Sequence, residues 1–99
     1  PSVTRDLALI KVAVDTQTRP EVMQLCDVFR ARIVDVAQDS VIIEITGEED
    51  KVESFTDLLR HIGIIEMVRT GIVAMGRGKH RVTPNGYKST AAKARKNVI

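Results

Sequence analysis

One alternating strand, an amphipathic helix, a β-branched hairpin, a second amphipathic helix and a last strand follow one another in 99 residues. That order predicts an α+β, ferredoxin-like βαββαβ sandwich: a four-stranded antiparallel sheet with both helices on one face. Right-handed crossovers leave this as the economical way to bury two apolar helix stripes against one sheet. The length is that of one domain, at roughly 100–200 residues each.

Arg5 to Val14 alternates as a strand, with Ala8, Ile10, Val12 and Val14 on one face. Thr18-Arg19-Pro20-Glu21 reads as a helix start, with Thr18 as the cap, Glu21 three residues on and Pro20 in the tolerant first turn. Val22, Leu25, Cys26 and Phe29 then share one helix face. Arg32 to Val36 and Val41 to Thr46 are β-branched runs around Ala37-Gln38-Asp39-Ser40, a hairpin signal without a fixed turn type. Val52, Phe55, Leu59 and Ile62 mark the second helix, with Glu48, Glu49 and Asp50 at its electropositive start and Gly63 as its stop. The last strand, about Ile64 to Met75, is interrupted by Gly71, where a bulge is expected.

Residues 1–78 therefore read as the folded domain, and residues 79–99 as a basic tail with a short helix near 89–97. The alanine-only face of that helix makes it marginal alone. Charge divides at nearly the same point. Residues 1–75 carry eight Lys/Arg and all thirteen acids, whereas residues 76–99 carry seven Lys/Arg and no acid.

Composition excludes several classes. The longest uninterrupted apolar runs, such as Leu7 to Ile10, fall far below the roughly 18 residues of a membrane span, and no signal peptide opens the chain. A lone cysteine, Cys26, permits no internal disulfide and fits a reducing compartment: the cytoplasm, or a plastid stroma after loss of a transit peptide. Pro1 fits a chain cut from a longer protein. Cys26 sits at apolar helix spacing, His61 in the last turn of a helix and His80 in the tail, so no metal or catalytic site is expected. Arg77, Lys79, Arg81, Lys88, Lys93, Arg95 and Lys96 supply charge for phosphates, which keeps a nucleic-acid-binding module as the alternative function. Leu7 to Val14 and Val41 to Thr46 lack the aromatics with which such folds stack bases, so a tail that is solvated or docks an acidic partner is favoured over RNA.

Several strings are specific when taken in order: Leu7-Ala8-Leu9-Ile10-Lys11-Val12, Phe29-Arg30-Ala31-Arg32-Ile33-Val34-Asp35-Val36, Ser40 through Gly47, and Gly63-Ile64-Ile65-Glu66. Arg69-Thr70-Gly71-Ile72-Val73-Ala74-Met75, followed by Arg77-Gly78, is the most telling. Together they resemble the C-terminal domain of the small regulatory subunit of acetolactate synthase, from roughly Val3 to Gly78. The tail has no recognised counterpart in that comparison. The resemblance implies an ACT-like fold and a domain that does no chemistry itself. It also implies, as partners, an N-terminal ACT domain of the same small subunit and a catalytic subunit, whose activity and feedback inhibition in branched-chain amino acid biosynthesis the small subunit modulates. Thiamine diphosphate, magnesium and FAD are then expected in the catalytic subunit and no cofactor in this chain. ACT domains that bind an amino acid commonly place glycine after the first strand, but Asp15-Thr16-Gln17-Thr18 has none, so no effector site is carried over.

What remains is a surface for association. If Ala8, Ile10 and Val12 face the helices, then Leu7, Leu9, Lys11 and Ala13 face away, with Ile42 and Glu44 beside them and a Lys11–Glu44 pair in reach. Ordinary exposed aliphatics on a small sheet are an even alternative to an interface here. The expected edge strands are Arg32 to Val36 and Ile64 to Met75, and no proline blocks the first. Leu7, Leu9, Ile33, Val34, Ile42 and Arg69 are accordingly the candidate contact residues, in a chain expected to form a homo-oligomer.

Overall fold

The computed structural model describes residues 2–81 and 95–98. The elements are β1 (Ser2–Ala13), α1 (Thr18–Phe29), β2 (Arg32–Val36), β3 (Ser40–Gly47), α2 (Glu49–Arg60), β4 (Ile64–Gly76) and β5 (Arg95–Val98). The first six are the expected βαββαβ series. They form an antiparallel sheet in the order β2-β3-β1-β4, which β5 extends to five strands.

Alternation decides what the sheet buries. Ala8, Ile10 and Val12 of β1, Val41, Ile43 and Ile45 of β3, and Ile64 and Met67 of β4 share the face under the helices and are buried. Against them lie Val22 and Cys26 of α1 and Val52, Phe55 and Leu59 of α2, with Phe29 tilted on Phe55 at 5.2 Å between ring centres. Thr56, also buried, returns its hydroxyl proton to the Val52 carbonyl at 2.7 Å, so it costs the core no lost hydrogen bond.

Helix ends are set by local chemistry. The first helix is capped one turn earlier than expected: Asp15, not Thr18, accepts the N–H groups of Gln17 and Thr18, both at 2.8 Å. Thr18 Oγ1 in turn accepts the Asp15 N–H at 2.9 Å, so the reciprocal box joins Asp15 and Thr18 instead of Thr18 and Glu21. Those bonds hold the Asp15 carboxyl below its ordinary pKa, the Thr18 amide contributing most. At the other end Arg30 adopts φ 55°, an uncommon left-handed conformation for a side-chain-bearing residue, and lets Ala31 N–H reach the Cys26 carbonyl at 2.8 Å. Gly63, at φ 132°, closes the second helix as its sequence position suggested, its N–H on the Leu59 carbonyl at 3.0 Å.

Beyond the domain, the short helix expected near residues 89–97 falls mostly outside the described residues. Where description resumes, Arg95–Val98 is extended and pairs with Glu66–Arg69. The edge of β4 offers a row of free backbone groups, a stronger claim on this segment than a helix with only alanine to bury.

Candidate functional site

The face of the sheet away from the helices carries part of the expected contact set. Leu7 and Ile42 are half-buried there and Leu9 is 40% exposed. Leu9, Ile42 and Val68 line a shallow depression of about 250 Å³ together with Lys11 and Glu66. Lys11 pairs with Glu66 at 3.4 Å, across from it on β4, instead of with Glu44. Glu44 faces Arg32, 3.8 Å away. The depression is therefore an aliphatic floor with an internally neutralised wall.

The other three expected residues do not join this face. Ile33 pairs with Ile43 and packs against the core. Val34, 47% exposed, occupies a bulge between Ile33 and Asp35 that breaks the regular ladder of the β2 edge. Arg69 lies opposite Ala8, on the helix side. There it bonds the buried Asp6 and reaches Glu53 of α2 at 2.7 Å, with 14% of its own side chain exposed. Asp6 Oδ1 has no hydrogen-bond partner among the described residues. A charged residue inside a strand looks like a surface group when the sequence is read alone. Only the register shows Arg69 neutralising a buried carboxylate, with two acids holding its guanidinium charged and its pKa raised despite partial burial.

The residues that sequence reasoning missed sit at the far end of β1 and β4. Pairing of β1 with β3 starts at Asp6, yet its pairing with β4 continues to Ser2–Gly76. Ser2–Arg5 and Ile72–Gly76 thus form a two-stranded ribbon that runs beyond the rest of the sheet. It begins at the bulge foreseen at Gly71 (φ 80°), where Thr70 and Gly71 together oppose Leu7 and Thr70 Oγ1 accepts the Leu7 N–H at 3.2 Å. Register places Val3, Val73 and Met75 on the outer face, continuing the line of Leu7 and Leu9, and Ile72 and Ala74 on the opposite one. Val3 is 44% exposed, Ile72 55%, Val73 47% and Met75 74%, which gathers four of the exposed large apolar side chains of the described residues on this ribbon. The signal was present: Ile72-Val73-Ala74-Met75 does not alternate, and an unbroken apolar strand is the pattern of one covered on both faces.

Reactive groups are scattered. Cys26 is buried in α1, its thiol pushed up to about 11 chiefly by desolvation, while His61 follows α2 and His80 lies beyond β4. Among the described residues no three His, Cys, Asp or Glu side chains stand together as metal ligands, and no helix is long and apolar enough to cross a membrane.

Residues 5–78 match the family model described as the small subunit of acetolactate synthase. The chain is 55% identical over 80 residues to the probable acetolactate synthase small subunit of Archaeoglobus fulgidus, which covers 81% of this chain and 50% of that protein. It is 44% identical over 92 residues to the chloroplastic acetolactate synthase small subunit 2 of Arabidopsis thaliana, covering 93% of this chain and 19% of the relative. A span that long enters the basic tail, so the tail does have counterparts among the plant proteins. The crystal structure of the acetolactate synthase small subunit from Thermotoga maritima superposes with a TM-score of 0.74 at 47% identity, over 80% of this chain and 48% of that one. The chain spans about half the length of those microbial relatives and about a fifth of the plant one.

Proposed function

The chain belongs to the acetolactate synthase small-subunit family, and from that premise we propose that it is a regulatory domain acting through contacts, not chemistry, on the catalytic subunit. The observation that carries this reading is the family match across the whole folded domain, residues 5–78. In this role it modulates the rate and the feedback inhibition of an enzyme of branched-chain amino acid biosynthesis, in the cytoplasm or a plastid stroma. An ACT domain of the same small subunit is its neighbour. Thiamine diphosphate, magnesium and FAD belong to the catalytic subunit; the open, aliphatic depression on this chain does not fit a diphosphate.

The physical logic is linkage. An effector held elsewhere changes how subunits pack, and a domain without a ligand of its own shifts that equilibrium whenever its contacts differ between the states. The outer face around Leu7, Leu9 and Ile42 suits such contacts, including those of a homo-oligomer, because its charges are already paired and its aliphatics are not covered. The β2 edge suits them less, since the Val34 bulge interrupts its ladder.

Acetolactate formation from pyruvate by the catalytic subunit, measured with and without the chain, tests the reading. A change in rate or in valine sensitivity on addition is expected, with no product from the chain alone. An indifferent catalytic subunit would sink it. For self-association, sedimentation should show Leu9→Glu shifting the chain towards monomer, with Val34→Pro having the smaller effect.

A further inference from the structure

We infer that β5 is an edge guard: it occupies the regular stretch of the β4 edge and so keeps two copies of the chain from joining sheet to sheet through it.

Without β5 the sheet would have β2 and β4 as its outer strands, and an outer strand is a template for another chain unless something blunts it. At one edge β2 is blunted by its own residues. It is five residues long, carries Arg32 and Asp35, and is bulged between Ile33 and Asp35. At the other edge β4 is thirteen residues long, with Ile64, Ile65, Met67 and Val68 near its start. Two bulges interrupt it. Ile65 is an extra residue between the pairs Val12–Ile64 and Lys11–Glu66, and Thr70–Gly71 holds the second. Bulges disrupt the ladder beside them and increase its twist, so β4 is a poor template at both points. Between them Glu66, Met67, Val68 and Arg69 run in unbroken register with Lys11, Ile10, Leu9 and Ala8. That is the stretch another strand can join.

The fifth strand covers those four residues: Val98, Asn97, Lys96 and Arg95 pair in turn with Glu66, Met67, Val68 and Arg69. It also makes a poorer outer strand than the one it covers. It is four residues long, and Arg95, Lys96 and Asn97 are three of them. Shortness and lysine on the outermost strand both discourage extension, and lysine and asparagine are weak strand formers.

The strand kept out is the same stretch of a second copy. An antiparallel twofold pairing centred on Met67 would set Glu66 against Val68 and oppose no like charges. Glu66 is matched by Lys11, and Arg69 by Asp6 and Glu53, so charge on this stretch does not repel the approach.

Sedimentation tests the guard, with Leu9→Glu present throughout to remove association through the outer face. Lys96→Pro/Asn97→Pro takes an inward donor from β5 whichever of the two residues points its N–H at β4. That variant should self-associate at least about tenfold more strongly than its parent. In dilute solution, hydrogen–deuterium exchange at residues 66–69 should be faster in the variant than in the parent. Adding Val68→Lys, which puts a charge on the bared edge, should return association to the parent's level. Unchanged sedimentation on loss of β5, or association that Val68→Lys leaves intact, overturns the assignment. So does a parent chain whose amides at 95–98 exchange as freely as those of an unfolded chain. Should the double-proline variant fail to fold, Lys96→Gly/Asn97→Gly weakens β5 without removing a donor and decides by the same measurement.

Discussion

Strands β1 and β4 run through two environments, and the contrast between them shows what a strand owes to its cover. Between Ala8 and Val12 the pair is roofed by helices, and alternate side chains are removed from water. Between Ser2 and Arg5 the same two strands continue with similar residues and, among the described residues, no roof, and valines there remain nearly half exposed. Composition does not separate the two parts. The neighbouring element does: β3 stops at Gly47, opposite Asp6, and the helices cover no more of the sheet than β3 helps to support.

The largest break in that contrast is expected from Phe55→Ala. It deletes the side chain at the centre of the core and should cost about 3–5 kcal/mol. Met75→Ala in the ribbon should stay within about 0.5 kcal/mol. Urea unfolding of the two variants measures both, and equal losses would mean that the ribbon is part of the folded core.

The frontier between the regions is held by Arg69, and its removal comes next. Arg69→Ala strands the buried Asp6 carboxylate and should cost about 3 kcal/mol, whereas Asp6→Leu/Arg69→Met should recover most of that loss. A double variant no better than the single one would show that the pair is not the unit of stability.

Gly71→Ala is expected to cost about 1–2 kcal/mol. A Cβ at that position meets nothing within 4 Å, so the whole penalty is backbone conformation at positive φ. A neutral result in thermal melts would mean that the bulge relaxes freely.

The smallest effect lies past the opposite end of β1 from the ribbon. The folded-state pKa of Asp15 lies below the ordinary 3.8, so its cap contributes stability that is fully present above that pH and lost as pH falls through the lowered value. The urea midpoint of Asp15→Asn should therefore vary less with acidification than that of the unaltered chain. Parallel pH profiles would refute the cap.

Element types and order were legible because each is written locally. Helix periodicity, the Ala37–Ser40 hairpin and the Gly63 stop need only neighbours in sequence, and all stand where expected. Cap identity was less legible: Asp15 and Thr18 both suit the role, and the choice depends on where the chain leaves β1. Which side of the sheet each residue faces was least legible. Leu7, Leu9 and Ile42 follow from alternation alone, but Ile33 and Arg69 were assigned without their cross-strand partners, and those partners turn both inward. The ribbon escaped because its existence depends on β1 outlasting β3, a difference of lengths that no single segment records.

The extra residue at Thr70–Gly71 has a further consequence, one of parity. Side chains along a strand obey an odd–even rule, and one supernumerary residue inverts that rule for everything downstream. Upstream of it Met67 and Arg69 point to the helix side; downstream, odd-numbered Val73 and Met75 point to the other. Loss of one residue here would leave every amino acid beyond it unchanged and transpose them all, putting Val73 and Met75 where Ile72 and Ala74 now stand. Related chains that differ by a single gap at this point would then display mirror assignments of the same residues, however similar their sequences.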